Sequence, residues 1–194
     1  PETQNTRAPL FPYFAPTVMP QAQAGDGQLA AAIAVISLAG SLMGAVEAMA
    51  LANISGLPQN NALSVLSSTA GGSRALVDYI PQVLGHEYTG KISVSSFLDA
   101  LEVVLDCADS FDVTMPMTET AFQLFELLSV VGGEEMNIQA LALLYEDEQT
   151  CADHGLDWAL AEEADMGDFD DDFGFEGLMG GPLDGHRPGR HRSD

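Results

Sequence analysis

The sequence predicts an all-α body of six or seven helices between residues 25 and 160, flanked by disordered ends. Three observations lead there. Apolar residues recur every three or four positions through most of that span. Prolines, glycines and capping residues punctuate it at helix-length intervals. Alternation of period two is confined to a brief Lys91–Val94 stretch, so no sheet is expected.

Residues 28–53 read as one long helix, dominated by Ala, Leu, Met and Gln and interrupted by no proline. Gly40 and Gly44 lower its propensity, which asks for a packing reason. Leu29 to Val46 is uncharged for 18 residues, long enough to pass a crude test for a membrane span. Gly40-x-x-x-Gly44 also matches the close-contact motif of membrane helix pairs. Against a span, no Lys or Arg flanks the run, no Trp or Tyr borders it, and Glu47 and Asn53 continue the same helix. The expectation is a buried helix, apolar all round, and no membrane contact.

Pro58 opens a short helix through Leu66, since proline suits a first turn. Ser73 is placed to cap a helix running to Leu84, with Pro81 near its end. Ser95 or Ser96 begins a helix through Phe111, carrying Phe97, Leu98, Leu101, Val104, Leu105 and Ala108. Thr114 caps the next helix, with Pro116 in its first turn and Ala121, Phe122, Leu124, Phe125 and Leu128 as its apolar set; Gly132-Gly133 ends it. Asn137 caps a last helix with Ile138, Leu141, Leu144 and Tyr145, closed by Gly155.

The ends differ from this body. Residues 1–24 hold Pro9, Pro12, Pro16 and Pro20, which favours an extended arm or linker. Residues 161–194 begin acidic, with Phe169, Phe173 and Phe175 interleaved among Asp and Glu, and finish in a basic run from His186 to Arg192. That composition cannot close a core, and a disordered solubilising or partner-binding tail is expected.

A formal net charge of −23 excludes partners rich in phosphate: nucleic acid and anionic membrane surfaces would be repelled. Between Gly25 and Leu160 the only Lys or Arg residues are Arg74 and Lys91. The acidity fits either a high-salt setting or a plainly acidic protein. Cys107 and Cys151 show no spacing that suggests zinc and read as small apolar residues. The first residues hold no basic region followed by an apolar run, so a reduced, cytoplasmic setting is expected.

Four motifs occur in a telling order. Gly25-Asp-Gly27 opens the long helix, Glu47-Ala-Met-Ala-Leu-Ala-Asn-Ile-Ser-Gly56-Leu57 closes it, Thr69-Ala-Gly-Gly-Ser73 follows, and Val113-Thr-Met-Pro116 comes later. This series, with Asn137 to Tyr145, resembles the helical domain of the β-hydroxyacid (3-hydroxyisobutyrate) dehydrogenases. The resemblance runs from about Gly25 to about Tyr145. It implies a 6-phosphogluconate dehydrogenase C-terminal-domain-like fold, an NAD or NADP cofactor, and a homodimer through the Leu29–Asn53 helix. It implies also that Gly71, Gly72 and Ser73 face the substrate cleft.

Three departures stand out. The family reads G-x-G-x-x-x-K-x-x-N at the helix start, where the lysine is the catalytic acid/base; here those positions are Ala31 and Ala34. A second family lysine, near the cofactor, is Asp99. No G-x-G-x-x-G dinucleotide fingerprint occurs in the 194 residues. So no catalytic, cofactor-binding or metal residue is assigned. The expected function is a substrate-binding and dimerisation domain, inactive by itself. The alternatives are an active hydroxyacid or imine oxidoreductase completed by a separate Rossmann-domain chain, and an interaction module acting through the acidic–aromatic tail.

Several residues carry two readings. Ser73 with its neighbouring amides could hold a carboxylate or could simply cap a helix. Arg74 could meet an anionic ligand or form a surface ion pair. Asp99 could replace a proton donor if buried, or be a solvated carboxylate. Glu47 reads as structural. Asp168-x-Asp170-x-Asp172 opens like a calcium loop, but its sixth position is Phe173 and its twelfth Met179.

Overall fold

A computed structural model describes residue 23 and residues 25–164. What was expected of the proline-rich arm and of the tail beyond residue 164 lies outside the described residues. The described chain is helical: α1 Asp26–Ile54, α2 Gln59–Ser68, α3 Arg74–Leu84, α4 Val94–Ser110, α5 Pro116–Leu128, a π-turn Ser129–Gly133, a 3₁₀ helix Ile138–Tyr145, α6 Glu148–Asp153 and α7 Ala159–Glu163. Among these residues there is no strand; Ser93 and Asn137 form an isolated antiparallel bridge.

The long helix organises the rest. Its apolar residues are spread round its whole circumference, so a single layer of neighbours cannot bury it. Its second half is wrapped by α2, α3, α4, α5 and the 3₁₀ helix. Leu42, Val46 and Met49 enter the core there. Phe97 of α4 meets Phe125 of α5 edge to face, with centroids 4.9 Å apart. The first half is different: residues 26–38 are all exposed or half-buried, and the first buried residue is Ala39. The helix is long and apolar enough to cross a membrane by length and composition, and only 28% of its most apolar window is buried.

Local signals explain most boundaries. Ser73 caps α3, accepting the Leu76 amide at 3.1 Å. Pro116 occupies the first turn of α5. Asp147 caps α6 by accepting the Thr150 amide at 2.9 Å.

Three expectations are corrected. The cap of α4 is Ser93, which accepts the Ser96 amide, and not Ser95 or Ser96. The Val94 and Ser95 amides instead donate to the carbonyls of Met136 and Glu134 at 2.8 and 3.1 Å, so long-range bonds fix where this helix starts. Thr114 caps nothing: the residue before α5 is Met115, with no side-chain cap. The expected last helix from Asn137 to Gly155 is split into a 3₁₀ helix and α6, separated by extended Glu146.

The 3₁₀ geometry has a visible cause. Asn137 and Gln139 are buried polar residues, and burial demands that their groups be paired. The Asn137 carbonyl oxygen accepts the Ile92 amide at 3.1 Å, and its amide group donates to Gln139. Gln139 donates to the Gln82 side chain and the Glu87 carbonyl at 3.0 and 2.8 Å. The Asn137 backbone amide donates to Tyr88 at 2.8 Å. This network stitches the loop after α3 to the 3₁₀ helix and holds its first turn tighter than an α-helix. Gly90 lies against it: a Cβ there would come within 2.1 Å of the Asn137 side chain, which its own bonds hold in place. Gly90→Ala is therefore expected to destabilise the domain by about 1–3 kcal/mol, read as a lowered urea midpoint with an unchanged slope.

Candidate functional site

The face of α1 that continues from Ala34 leads to a hollow. Ala34, Ser41 and Ala45 lie at spacings of seven and four residues, hence on one side of the helix. Ser41 and Ala45, with Gly40 and Gly44, form one wall of a hollow of about 450 Å³. The opposite wall is the turn from Ala70 to Ser73, and Leu66 and Leu76 close the ends. The axial rise from Ala34 to Ser41 is about 10 Å.

The sequence-predicted cleft residues are thus brought together and joined by seven residues the sequence did not assign to it. Gly71, Gly72 and Ser73 all line the hollow. Gly72 is tight against the end of α2: a Cβ there would meet the Leu66 carbonyl oxygen at 3.1 Å. Gly40 and Gly44 are the glycines among them. Gly40 has the packing reason the sequence asks for, since a Cβ would meet the Met117 Cε at 2.6 Å. Gly44 has none: nothing lies within 4 Å of a Cβ built there. The G-x-x-x-G spacing was the signal that could have placed both on this wall.

No lining residue of the hollow is titratable. Its polar groups are the Ser41 and Ser73 hydroxyls and the backbone, and Ser73 is already engaged as the α3 cap. The arrangement can shape and hold a neutral or weakly polar group. It offers no side chain to take or give a proton at neutral pH.

The remaining candidates lie apart from it. Ala31 and Ala34 are exposed on the uncovered half of α1. Asp99 is exposed on α4, on one face with exposed Glu102, Asp106 and Asp109. Arg74 is engaged by Asp78 at 2.6 Å in an exposed pair one helical turn apart, which is the surface-ion-pair reading. Glu47 is exposed and accepts a long 3.5 Å bond from the Tyr145 hydroxyl. Burial, then the Glu47 charge, pushes Tyr145 up to about 12. Cys151 is buried, its thiol 3.1 Å from the Leu143 carbonyl oxygen, and burial pushes its pKa up. Among the described residues no group of three or more His, Cys, Asp or Glu is placed to hold a metal ion.

Comparison with known proteins follows this geometry. A family model described as "NAD-binding of NADP-dependent 3-hydroxyisobutyrate dehydrogenase" matches residues 25–145. The chain is 28% identical over 137 residues to the uncharacterized oxidoreductase YkwC of Bacillus subtilis (strain 168), covering 71% of this chain and 48% of that protein. It is 34% identical over 90 residues to the L-threonate dehydrogenase of Pectobacterium atrosepticum, covering 46% of this chain and 30% of that enzyme. Among solved structures, 3-hydroxyisobutyrate dehydrogenase from Salmonella typhimurium aligns with TM-score 0.57 and 26% identity over 59% of this chain and 40% of its own. The Mycobacterium tuberculosis 3-hydroxyisobutyrate dehydrogenase with L-serine aligns with TM-score 0.68 over 73% of this chain and 51% of its own; at 18% identity it shows the shared fold. The chain spans about half the length of these relatives or less.

Two measurements probe this region. Ser73→Ala removes the α3 cap and is expected to cost about 1 kcal/mol, seen in chemical denaturation. Burial, then a nearby carboxylate, also raises Tyr88 to about 12. A phenol raised in the folded state contributes stability that is complete below its ordinary value near 10 and is lost as pH rises through about 12. The thermal midpoint is expected to fall over that window, and to fall less in Tyr88→Phe and Tyr145→Phe.

Proposed function

The chain belongs to the 3-hydroxyisobutyrate dehydrogenase family, and from that premise we propose that it is the helical half of a dehydrogenase architecture, shaping a substrate cleft and a subunit interface without itself moving a proton. The family is NAD(P)-linked. In the reaction that the likeness implies, hydride passes between a nicotinamide and the carbon bearing a hydroxyl, while a lysine handles the hydroxyl proton.

The observation that carries this reading is the chemistry of the wall. The hollow is lined without a titratable group, and the family's lysine position, Ala31, is an exposed methyl further along the same helix. Removing a general acid/base costs roughly 10²–10⁴ in rate. Gly71, Gly72 and Ser73 can still shape the floor of a substrate site.

The residues present do not fit a nicotinamide dinucleotide held by this chain alone. The family's second lysine is Asp99, in an exposed row of carboxylates on α4 that would repel a pyrophosphate. The uncovered first half of α1 fits a protein that is completed by a cofactor-binding segment, in the same polypeptide or in another, and by a second copy of itself. The exposed apolar residues Leu29 and Ile33 are 42% and 66% accessible, surface that such partners would cover.

Calorimetric titration of the purified 194-residue chain with NADH and NADPH tests this, with its mass in solution measured alongside. The expected result is no binding to either, at twice the 20.5 kDa chain mass. Micromolar binding of either nucleotide, or NAD(P)-dependent turnover of any hydroxyacid, would overturn it.

A further inference from the structure

The wall that α1 gives the hollow is made of small residues, Gly40, Ser41, Gly44 and Ala45. Two of them answer to neighbours inside the chain: Ala45 is buried, and the Met117 thioether covers Gly40. Gly44 answers to none. Glycine inside a helix is less stable than alanine. Yet Gly44 has ordinary helical backbone, and nothing lies within 4 Å of a Cβ built there. It is exposed, and the space it borders is the hollow.

Ser41 is the second group on this wall without an internal reason. It is half-buried, and among the described residues none bonds its hydroxyl. The other hydroxyls of this end of the domain are engaged. Those of Ser55, Ser67, Ser68 and Thr69 each donate to a carbonyl three or four residues back, and Ser73 holds its cap. Ser41 is left with a donor and two acceptor positions beside the hollow.

Charge decides what kind of group can enter. The lining holds no Lys, Arg, His, Asp or Glu. Arg74, next to Ser73, is exposed and held by Asp78. A carboxylate entering here would give up its water with no cation to meet it, in the field of a chain of net charge −23. An ammonium finds exposed carboxylates elsewhere, Asp99 and Glu102 among them, but none in the hollow. An uncharged group that both gives and takes a hydrogen bond loses least on entry.

We propose that the hollow takes the uncharged, hydroxyl-bearing end of a short aliphatic ligand, with Gly44 leaving room for its carbon chain and Ser41 bonding its hydroxyl. The proposal rests on the cleft reading given above and names the ligand class and the residue that sets its size. The carbon chain lies against bare backbone at Gly44, where any side chain would occupy the same space. A charged end, where a ligand has one, is left to groups outside the hollow.

Nitrogen-15 NMR of the full chain tests this through the backbone amides of Gly44, Gly71 and Gly72. The probes are propan-1-ol, propionate and propylammonium, alike in length and different in charge. The alcohol is expected to shift these amides saturably at millimolar concentration, and neither ion to do so. Gly44→Leu is expected to weaken the alcohol about tenfold or more, and Ser41→Ala about threefold to tenfold, with helical circular dichroism unchanged. Gly44→Ala separates room from folding. It is expected to raise the thermal midpoint by about 2–6 °C while weakening the alcohol. A saturable shift with either ion, or with no probe at all, overturns the ligand class. An unchanged alcohol affinity in Gly44→Leu, or a lowered midpoint in Gly44→Ala, overturns the role of Gly44. These outcomes leave standing the reading of the domain as inactive by itself, which nucleotide binding or turnover would overturn separately.

Discussion

A helix that is apolar on every side has to be covered on every side, and the rest of the structure is arranged around that demand. The 29 residues of α1 are too long for a body of this size to bury. The domain spends α2, α3, α4, α5 and the 3₁₀ helix on the second half. Leu42, Val46, Phe125, Leu141 and Leu144, each 0–2% accessible, mark where that wrapping succeeds. The first half is left exposed or half-buried. The hollow and the exposed start of the helix are two edges of the same incomplete cover.

Helix existence was legible in the sequence because it rests on local physics. Ser73 before an apolar run, Pro116 in a first turn, and the uninterrupted Ala-rich stretch each act within one or two turns. The errors fall where distant groups decide. Ser93 caps α4 because the carbonyls of Glu134 and Met136 take the amides beside it, about forty residues on in sequence. Asn137 and Gln139 tighten their turn because they bond across to Gln82, Glu87 and Ile92. No window of local sequence contains those partners.

The site was legible in part, and unevenly. Gly71, Gly72 and Ser73 were marked by their likeness to a family turn, and the structure lines them along one hollow. Gly40 and Gly44 were read as a generic close-packing motif. The fold separates them: Met117 packs on Gly40, while Gly44 stands open. Which glycine has an internal neighbour and which faces open space is a three-dimensional fact. Spacing alone treats them alike.

Two substitutions connect the chemistry to the architecture. A lysine at 31 and an asparagine at 34, as the family has them, would each place a polar group within the first three turns of α1. With alanine at both positions, Leu29 to Val46 runs 18 residues without a charge. The same two positions therefore lack the lysine the family has there and leave the exposed half of the helix, from Leu29 on, without charge. The family's lysine position and the uncharged character of the first half of α1 are thus one feature read two ways: the residue that would handle a proton is the residue that would have charged this stretch of helix.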